Sequence, residues 1–251
     1  MSAPNPLPEY SVVIPAYNSA AILPRLTSKL EAFFAARGAT REIILVNDGS
    51  ADDTWQMIAA LCAANPNIVG LGLSRNFGQH AALLCGLAEA RGRWVVTMDD
   101  DLENDPDDIG KLIAEAVNGH DLVFGRYPTG RHRGLRRLGS ATMRALICYL
   151  CHAPRGLYVS NFRLMRREVV DRMLARSTGW SNVSCLALHS ANCPADAEVD
   201  YRPRPEGRSQ YTLLRLARLM LRTVAAHAVS GRTPKQRFDH VAIVTQRISH
   251  G

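Results

Sequence analysis

Short apolar runs alternate with helical patterns through the first half of the chain. The runs are rich in β-branched residues, which is typical of buried strands, whereas the segments between them repeat their apolar residues at helical spacing. The pattern predicts strands at 10–15, 41–46, 68–74, 93–98 and 121–125, and helices at about 20–37, 50–65, 79–91 and 106–118. Strands and helices in this order form right-handed βαβ units, so we expect an α/β fold with one mostly parallel, Rossmann-like sheet flanked by helices.

The regular alternation ends after Gly125. Two segments rich in arginine, glycine and proline predict basic loops at 126–137 and 202–210. Between and beyond them the pattern predicts helices at 138–152, 168–176, 181–191 and about 211–229, strands at 161–165 and 198–202, and a polar, frayed tail over 230–251. We therefore expect one domain over residues 1–229, followed by the tail.

The two halves of the chain carry opposite charge. Residues 1–121 hold 16 acidic residues against 8 Lys and Arg, a balance of −8, whereas residues 122–251 hold 7 against 22, a balance of +15. This asymmetry favours a phosphorylated ligand held between the halves, or a basic face against nucleic acid or anionic lipid. The N-terminus lacks the pattern of a signal peptide, and no run of 18 apolar residues occurs, so we expect a cytoplasmic protein that does not span a membrane.

Four acidic residues follow the predicted strand at 93–98, namely Asp99, Asp100, Asp101 and Glu103. Ligands of open α/β sheets bind at the carboxyl ends of the strands, and carboxylates crowded there suit a divalent cation such as Mg²⁺ or Mn²⁺. The alternative is an acidic helix start, which Pro106 favours because proline is common in a first helical turn. We assign that simpler role to Asp105, Asp107 and Asp108.

Two other predicted strands end in polar groups, at Pro15-Ala16-Tyr17-Asn18 and at Asp48-Gly49-Ser50. Parallel strands bring their carboxyl ends together, so one pocket could contain both segments and the acidic cluster. Asp48 could accept a hydrogen bond from a base N–H, and Tyr17 could lie along that base. No glycine-rich phosphate loop follows the first strand, which leaves phosphate binding to a metal ion and arginines.

Six segments of the chain resemble those of inverting family 2 glycosyltransferases of GT-A fold, and especially the dolichyl-phosphate mannose synthase group of polyprenyl-phosphate sugar synthases. They are VVIPAYN, ILVNDGSADDT, LSRNFGQHAALLCGLAEARG, VVTMDDDLENDP, NFRLMRREVVDRM and PEGRSQYTLLRLARL, and the resemblance covers about residues 10–225. The chain departs from the family pattern at Ser19-Ala20, Glu103, Asn161 and Gln210.

The resemblance implies site residues in three groups. The nucleotide sugar would be held by Pro15, Ala16, Tyr17, Asp48, Asp99, Asp100, Ser209 and Gln210, and the divalent metal by Asp99, Asp101 and Glu103. Catalysis would depend on Asp101 and on three arginines that line the diphosphate and the acceptor phosphate, namely Arg126, Arg131 and Arg208.

The predicted function is inverting transfer of a sugar from a nucleotide diphosphate to a polyprenyl phosphate at the cytosolic membrane face. A phosphate acceptor is already anionic near pH 7, whereas a hydroxyl acceptor needs a general base, and no acid occurs in residues 172–195 to supply one. The alternatives are transfer to a saccharide or other hydroxyl and, in another class, a non-catalytic nucleic-acid-binding protein. The interleaving of aromatic with basic residues that is expected of a single-strand binder is missing from the basic half, so we expect no nucleic acid partner.

The predicted helix at 211–229 suggests how the lipid is reached. Leucines share this segment with Arg215, Arg218 and Arg222, whose spacing gathers them on one face. Three arginines disfavour a spanning helix, so we expect a peripheral, charge-assisted membrane contact. An ordinary amphipathic helix packed on the domain explains the same pattern. The identity of the base, the sugar transferred, and the oligomeric state have no signature in the sequence.

Overall fold

The computed structural model describes residues 7–127, 153–177, 182–200 and 243–249. These residues form one eight-stranded sheet with helices on both faces. The strands are β1 (Tyr10–Ala16), β2 (Arg41–Asn47), β3 (Ile68–Leu73), β4 (Trp94–Thr97), β5 (Leu122–Arg126), β6 (Arg163–Arg166), β7 (Pro194–Glu198) and β8 (Val244–Ile248). The helices are α1 (Leu23–Ala35), α2 (Thr54–Ala64), α3 (Gln79–Glu89), α4 (Ile109–Val117), α5 (Arg167–Arg176) and α6 (Val183–Ser190), and a 3₁₀ turn (Pro106–Asp108) precedes α4.

The strands lie in the order β7-β5-β6-β4-β1-β2-β3-β8. The block β4-β1-β2-β3 is parallel, and its register pairs Val13 with Thr97 and Ala16 with Asn47. The carboxyl ends of β1, β2 and β4 therefore lie side by side at one edge. Because β6 runs antiparallel between β4 and β5, the sheet is mixed, but the prediction of a single sheet flanked by helices is confirmed.

The core has two layers, one on each face of the sheet. Val12 and Ile14 of β1 pack with α1, α2 and α4, whereas Val13 packs with α3, α5 and α6. Covering both faces explains why β1 is apolar along nearly all of its length rather than alternating. The two layers hold the central strands rigidly and so fix the positions of the residues that follow them.

Two edge strands differ from the sequence prediction. The pattern predicts a strand at 198–202, whereas β7 is Pro194–Glu198 and pairs in parallel with β5. The pattern predicts a frayed tail from residue 230, whereas Val244–Ile248 forms β8, antiparallel to β3. Both strands are only partly buried, so pairing with a neighbouring strand determines them and no apolar period marks them.

Several predicted elements fall outside the described residues. They are the helix at 138–152, nearly all of the basic loop at 126–137, the basic loop at 202–210 and the helix at about 211–229. Among the helices that the structure describes, none combines the length and the apolar character needed to cross a membrane.

Candidate functional site

The ends of β1, β2 and β4 are joined by hydrogen bonds, as the predicted common pocket requires. The amide N of Asp48 donates to the carbonyl O of Ala16 at 2.9 Å, which joins the ends of β2 and β1. The amide N of Tyr17 donates to Oδ2 of Asp100 at 3.3 Å, which joins β1 to the acidic segment after β4. The three strand ends thus form one continuous surface at the carboxyl edge of the sheet.

The segment after β1 turns sharply and leaves an aromatic ring in solvent. Asn18 has a φ of +54°, in the left-handed region, and its amide N donates to Oγ of Ser50 at 3.0 Å. The Tyr17 side chain beside it is 42% exposed, which is unusual for a large aromatic residue in this protein. Tyr17 therefore offers a free ring at the position where the sequence predicts contact with a base.

Asp48 is buried and bonded to the backbone of another segment. Its Oδ1 accepts from the amide N of Phe77 at 2.7 Å and its Oδ2 from that of Gly78 at 2.9 Å. Burial raises the pKa of Asp48, and these two hydrogen bonds act against that rise. The carboxylate therefore holds the segment before α3 against the end of β2, a role that the sequence does not indicate.

Gly49 allows this segment to come close. Its φ is +64°, and a Cβ built on it would lie 2.4 Å from the carbonyl carbon of Arg75 and 2.5 Å from the amide N of Asn76. Both atoms belong to the backbone and cannot move as a flexible side chain would. The Asp48-Gly49 pair is thus more than a common turn, because the two residues together dock residues 75–78 at the site.

The acidic residues after β4 occupy different surroundings. Asp99 accepts a hydrogen bond from Nε2 of Gln79, at the start of α3. Oδ1 of Asp101 accepts from the amide N of Glu103 at 3.0 Å, and Leu102 between them has a φ of +57°. Asp101 and Glu103 are only 9% and 8% exposed. This tight reversal folds the chain back so that Asp101 and Glu103 remain near each other.

Asp100 lies in surroundings that disfavour its ionised form. Burial raises the pKa of Asp100; hydrogen bonds from Ser19 Oγ and from the amide N of Tyr17 lower it, and the charge of Asp101 raises it further. Ser19 is one of the departures from the family pattern, and its hydroxyl donates directly to Asp100. A serine at this position supplies a donor where an acidic side chain would add a further negative charge.

The second group of acids forms the helix start that the sequence predicts. Asp105 caps the 3₁₀ turn, because its Oδ1 accepts from the amide N of Asp107 at 3.1 Å, and its Oδ2 lies 2.8 Å from Nζ of Lys29. Asp108 lies 2.7 Å from Nζ of Lys111. These carboxylates support α4 and its contact with α1, so the structural role assigned to them is confirmed.

Arg126 ends β5 and forms an ion pair within the protein. Its Nε donates to Oδ1 of Asp196 at 2.7 Å, and the amide N of Tyr158 donates to Oδ2 of the same carboxylate at 2.6 Å. The Arg126 side chain is about half exposed, whereas that of Asp196 is 7% exposed. A phosphate at Arg126 would therefore share the guanidinium with Asp196.

The remaining predicted site residues divide into two sets. Pro15 and Ala16 are buried at the end of β1. Arg131, Arg208, Ser209 and Gln210 lie outside the described residues.

Three polar side chains at this edge have no counterpart in the sequence prediction, namely Ser19, Gln79 and Arg163. Arg163 had a visible signal, since it is a charged residue inside an apolar strand pattern. Ser19 and Gln79 had none, because a serine after a strand or a glutamine in a first helical turn is ordinary.

A separate cavity of about 470 Å³ lies between α1 and α4 at the start of β1, away from all of these residues.

Comparison with known proteins gives a family for this arrangement. The model of the family described as glycosyl transferase family 2 matches residues 11–174, more than half of the chain. That range contains β1 to β6 and every described acid of the segment after β4.

Curated relatives extend the similarity beyond the family model. The chain is 34% identical over 218 residues to an undecaprenyl-phosphate 4-deoxy-4-formamido-L-arabinose transferase of Pseudomonas paraeruginosa, which covers 86% of this chain and 64% of that protein. A protein of the same name from Klebsiella pneumoniae is 34% identical over 216 residues, with 86% and 66% covered. The chain thus spans slightly less than two thirds of the length of these relatives.

Solved structures with the same fold include glucosyl-3-phosphoglycerate synthase of Mycobacterium tuberculosis, crystallised with Mn²⁺, uridine diphosphate and phosphoglyceric acid. The TM-score is 0.64 at 20% identity, over 91% of this chain and 80% of that chain. A second structure of that enzyme, with phosphoglyceric acid alone, gives a TM-score of 0.63 at 20% identity, over 91% and 82%. At this identity the likeness concerns the fold, and it confirms the predicted GT-A fold.

Proposed function

The chain belongs to glycosyl transferase family 2, and we propose that it transfers a sugar, with inversion, from a nucleotide diphosphate to a polyprenyl phosphate. The observation that carries this proposal is the joining of three strand ends into one surface: Asp100 after β4 contacts the backbone of Tyr17 after β1, and Asp48 after β2 is bonded to the end of β1. A nucleotide diphosphate sugar needs a place for its base, a counter-charge for its diphosphate and an open side for the acceptor. The surface formed by the three strand ends offers groups for the base and for the diphosphate.

The base and ribose would lie along the ends of β1 and β2. The exposed ring of Tyr17 offers a stacking surface, and the backbone of Pro15 and Ala16 lies beside it. Each oxygen of Asp48 already accepts one backbone N–H, but a carboxylate oxygen has two lone pairs, so Asp48 can also accept from a base N–H. Binding of the base would then depend on the segment 75–78 that Asp48 holds.

The diphosphate would be held through a divalent cation, Mg²⁺ or Mn²⁺. The hard oxygen ligands of Asp99, Asp101 and Glu103 fit such an ion. Within the part of the chain that the structure describes, no three His, Cys, Asp or Glu side chains are gathered as a complete metal site. Substrate phosphates and water would complete the coordination of a cation held by these carboxylates. When bound, the cation neutralises charge on the leaving diphosphate.

A phosphate acceptor fits the charges near the acceptor side better than a hydroxyl does. Transfer to a hydroxyl needs a general base, and the carboxylate nearest to that role in the sequence, Asp196, is buried against the guanidinium of Arg126 and the amide of Tyr158. A polyprenyl phosphate needs no base, because its phosphate is already ionised near pH 7. Two relatives at 34% identity are named as undecaprenyl-phosphate sugar transferases, which supports this choice of acceptor.

Arginines would bind the acceptor phosphate, because a guanidinium donates two parallel hydrogen bonds to phosphate. We assign this role to Arg131 and Arg208 of the two basic loops. We also assign it to Arg126, which shares its charge with Asp196. The amphipathic segment at 211–229 would contact the cytosolic membrane face without spanning it, with Arg215, Arg218 and Arg222 near anionic headgroups.

A transfer assay tests the proposal. The purified chain is incubated with Mg²⁺ or Mn²⁺ and radiolabelled uridine and guanosine diphosphate sugars, with undecaprenyl phosphate in vesicles with and without anionic lipid, or with a soluble saccharide. We expect label in the lipid fraction for one donor, faster transfer with anionic vesicles, and loss of that transfer in Arg131→Ala and Arg208→Ala at an unchanged melting temperature. Label on the saccharide at a comparable rate, or no metal-dependent transfer with any donor, would overturn the proposal.

A further inference from the structure

Cys193 carries an exposed thiol at the edge of the sheet opposite the candidate site. It precedes β7, whose first residue, Pro194, pairs with Leu122 at the start of β5. Both strands run in the direction of β4, because β6 lies antiparallel between β4 and β5. Cys193 therefore lies at the amino edge of the sheet, whereas the acids that follow β4 lie at the carboxyl edge. The thiol is separate from the proposed function.

The thiol of Cys193 contacts an imidazole, and that imidazole contacts a carboxylate. Sγ of Cys193 lies 3.3 Å from Nδ1 of His120, and Nε2 of His120 lies 3.2 Å from Oε1 of Glu115, near the end of α4. A carboxylate only accepts hydrogen bonds, so Nε2 carries the proton of the neutral ring, and Nδ1 accepts from the thiol. A nucleophile, a base and a group that orients the base are the parts that activate a nucleophile in proteins.

The backbone holds these three groups in line. Gly119 has a φ of +97°, so the chain reverses after α4 and brings His120 back to Glu115. The carboxylate of Asp121 accepts from the amide N of Cys193 at 2.8 Å, and the amide N of Asp121 donates to the carbonyl O of Cys193 at 3.3 Å. Because Asp121 directly follows His120, these two bonds fix the thiol beside the imidazole.

The charges around the cluster are Glu115, Asp121 and Arg172. A carboxylate beside a thiolate disfavours the thiolate, but Nη2 of Arg172, on α5, lies 3.5 Å from Oδ2 of Asp121 and offsets its charge. The carboxylate of Glu115 is separated from the sulfur by the imidazole ring. Glu115 therefore acts on His120, where its negative charge favours the protonated imidazolium.

The thiols of Cys62 and Cys85 provide a contrast within the same chain. Cys62 on α2 and Cys85 on α3 are buried, and burial raises the pKa of Cys62 to about 11 and that of Cys85 to about 12. Both are protonated at pH 7, and a cysteine reacts as its thiolate. Cys193 differs from both because it combines exposure to solvent with contact to a base.

We propose that Cys193, His120 and Glu115 form an activated surface thiol, and that Cys193 is a site of covalent modification by small disulfides of the glutathione class. His120 takes the thiol proton, and the Cys193 thiolate attacks one sulfur of the disulfide. The S–S bond of the reagent breaks, a mixed disulfide forms on Cys193, and the other half leaves as a thiolate that recovers the proton. The reagent is the oxidant, and its leaving half is reduced to a thiol. His120 is the catalytic residue of this step, and Glu115 is a positioning residue.

Timed exposure of the full chain to oxidised glutathione at pH 7, followed by peptide mapping with mass spectrometry, tests the proposal. The same cysteines in the urea-unfolded chain serve as ordinary thiols, of which only a few per cent are ionised at pH 7. We expect Cys193 to react about five- to tenfold faster in the folded chain than in the unfolded one, and Cys62 and Cys85 to react more slowly when folded. A folded Cys193 that reacts no faster than the unfolded one would overturn the proposal.

Two variants assign the effect to the cluster. His120→Gln removes the base and should lower the rate at Cys193 about five- to tenfold, whereas Glu115→Gln keeps an acceptor for Nε2 and should lose less. The matched control is Glu198→Gln, the same change at the opposite end of β7, which should leave the rate unchanged. An unchanged rate at Cys193 in folded His120→Gln would overturn the proposal.

High pH separates a base from a residue that only shapes access to the thiol. Carboxylates and guanidinium groups do not titrate between about pH 7 and 9.5, whereas an ordinary thiol, with a pKa of about 8.5, becomes ionised without a base. The rates at Cys193 in the unchanged chain, in Glu115→Gln and in His120→Gln should therefore converge to within about twofold at about pH 9.5. Differences as large at this pH as at pH 7 would show that His120 and Glu115 act on access, and would overturn their assigned roles.

Discussion

Two acidic runs lie one after the other at the end of β4 and are used in different ways. In the site run, residues 99–103, the hydroxyl of Ser19 donates to Asp100 and the side-chain amide of Gln79 donates to Asp99. The turn run, residues 105–108, has lysine ammonium groups within 2.8 Å of two of its carboxylates. The same residue type therefore stabilises the fold in one run and concentrates negative charge in the other.

The difference follows from what compensates each charge. In the turn run, Lys29 and Lys111 neutralise the acids, and the hydrogen bond from Lys111 to Asp108 raises the pKa of the lysine. In the site run, burial raises the pKa of Asp100, which means that its ionised form costs free energy in the folded protein. A cation bound beside Asp100 would reduce that cost, because an opposite charge favours the ionised form.

The largest effect should come from Asp101→Asn in the site run. Loss of one major electrostatic stabiliser of the transition state lowers turnover by about two to three orders of magnitude, and folding should survive. The matched control is Asp107→Asn, which removes the same charge from an exposed position in the turn run. The initial rates of transfer and the melting temperatures of both variants test this prediction. Near-normal transfer by folded Asp101→Asn would show that Asp101 is not a major electrostatic stabiliser of the transition state.

A smaller effect, on stability rather than activity, should come from Asp105→Ala in the turn run. The change removes the cap of the 3₁₀ turn and the contact with Lys29, and a lost cap costs about 1 kcal/mol, within a range of about 0.5–2 kcal/mol. Urea unfolding should show this loss of stability, whereas the rate of sugar transfer per folded molecule should not change. Asp105→Asn retains an acceptor for the cap and should lose less. Equal losses of stability in the two variants would show that the charge of Asp105, rather than its capping hydrogen bond, stabilises the fold.

The smallest effect should be a gain in stability from Asp100→Asn in the site run. Because the pKa of Asp100 is raised in the folded state, ionisation at pH 7 opposes folding, and the amide removes that cost. We expect the metal-free variant to melt about 1–2 °C above the unchanged chain at pH 7. The difference should shrink as the pH falls through the raised pKa of Asp100 and vanish below the ordinary aspartate pKa of the unfolded chain, where the carboxylate is protonated in both states. A variant that melts lower at pH 7 would contradict the assignment.

The first half of the fold could be predicted from the sequence because its strands are covered on both faces. Buried strands such as β1 and β2 are almost continuously apolar, and their predicted bounds differ from the observed ones by one residue. The edge strands β7 and β8 could not be predicted, because the partner strand rather than an apolar period holds them in place. The antiparallel insertion of β6 between β4 and β5 likewise has no local signature.

The candidate site could be proposed from the sequence where the type of a residue indicates its chemistry. Carboxylates in series after a buried strand indicate a cation, and the helix-start role of Asp105 and Asp108 follows from the neighbouring proline. The partners of those carboxylates were not predictable. Asp100 receives its donors from the segment after β1, and Asp99 receives its donor from α3, so each contact joins parts of the chain that are distant in sequence.

The sequence by itself determined the family, the βαβ order and the accumulation of acids after β4, because apolar periodicity and residue chemistry are local properties. Only the tertiary structure decided which acids are neutralised. Lys29 of α1 reaches Asp105, whereas Asp100 accepts hydrogen bonds from the hydroxyl of Ser19 and the amide N of Tyr17. Whether a carboxylate supports the fold or remains available to a cation depends on the distance to the nearest opposite charge and on burial, and both are set by how the layers pack.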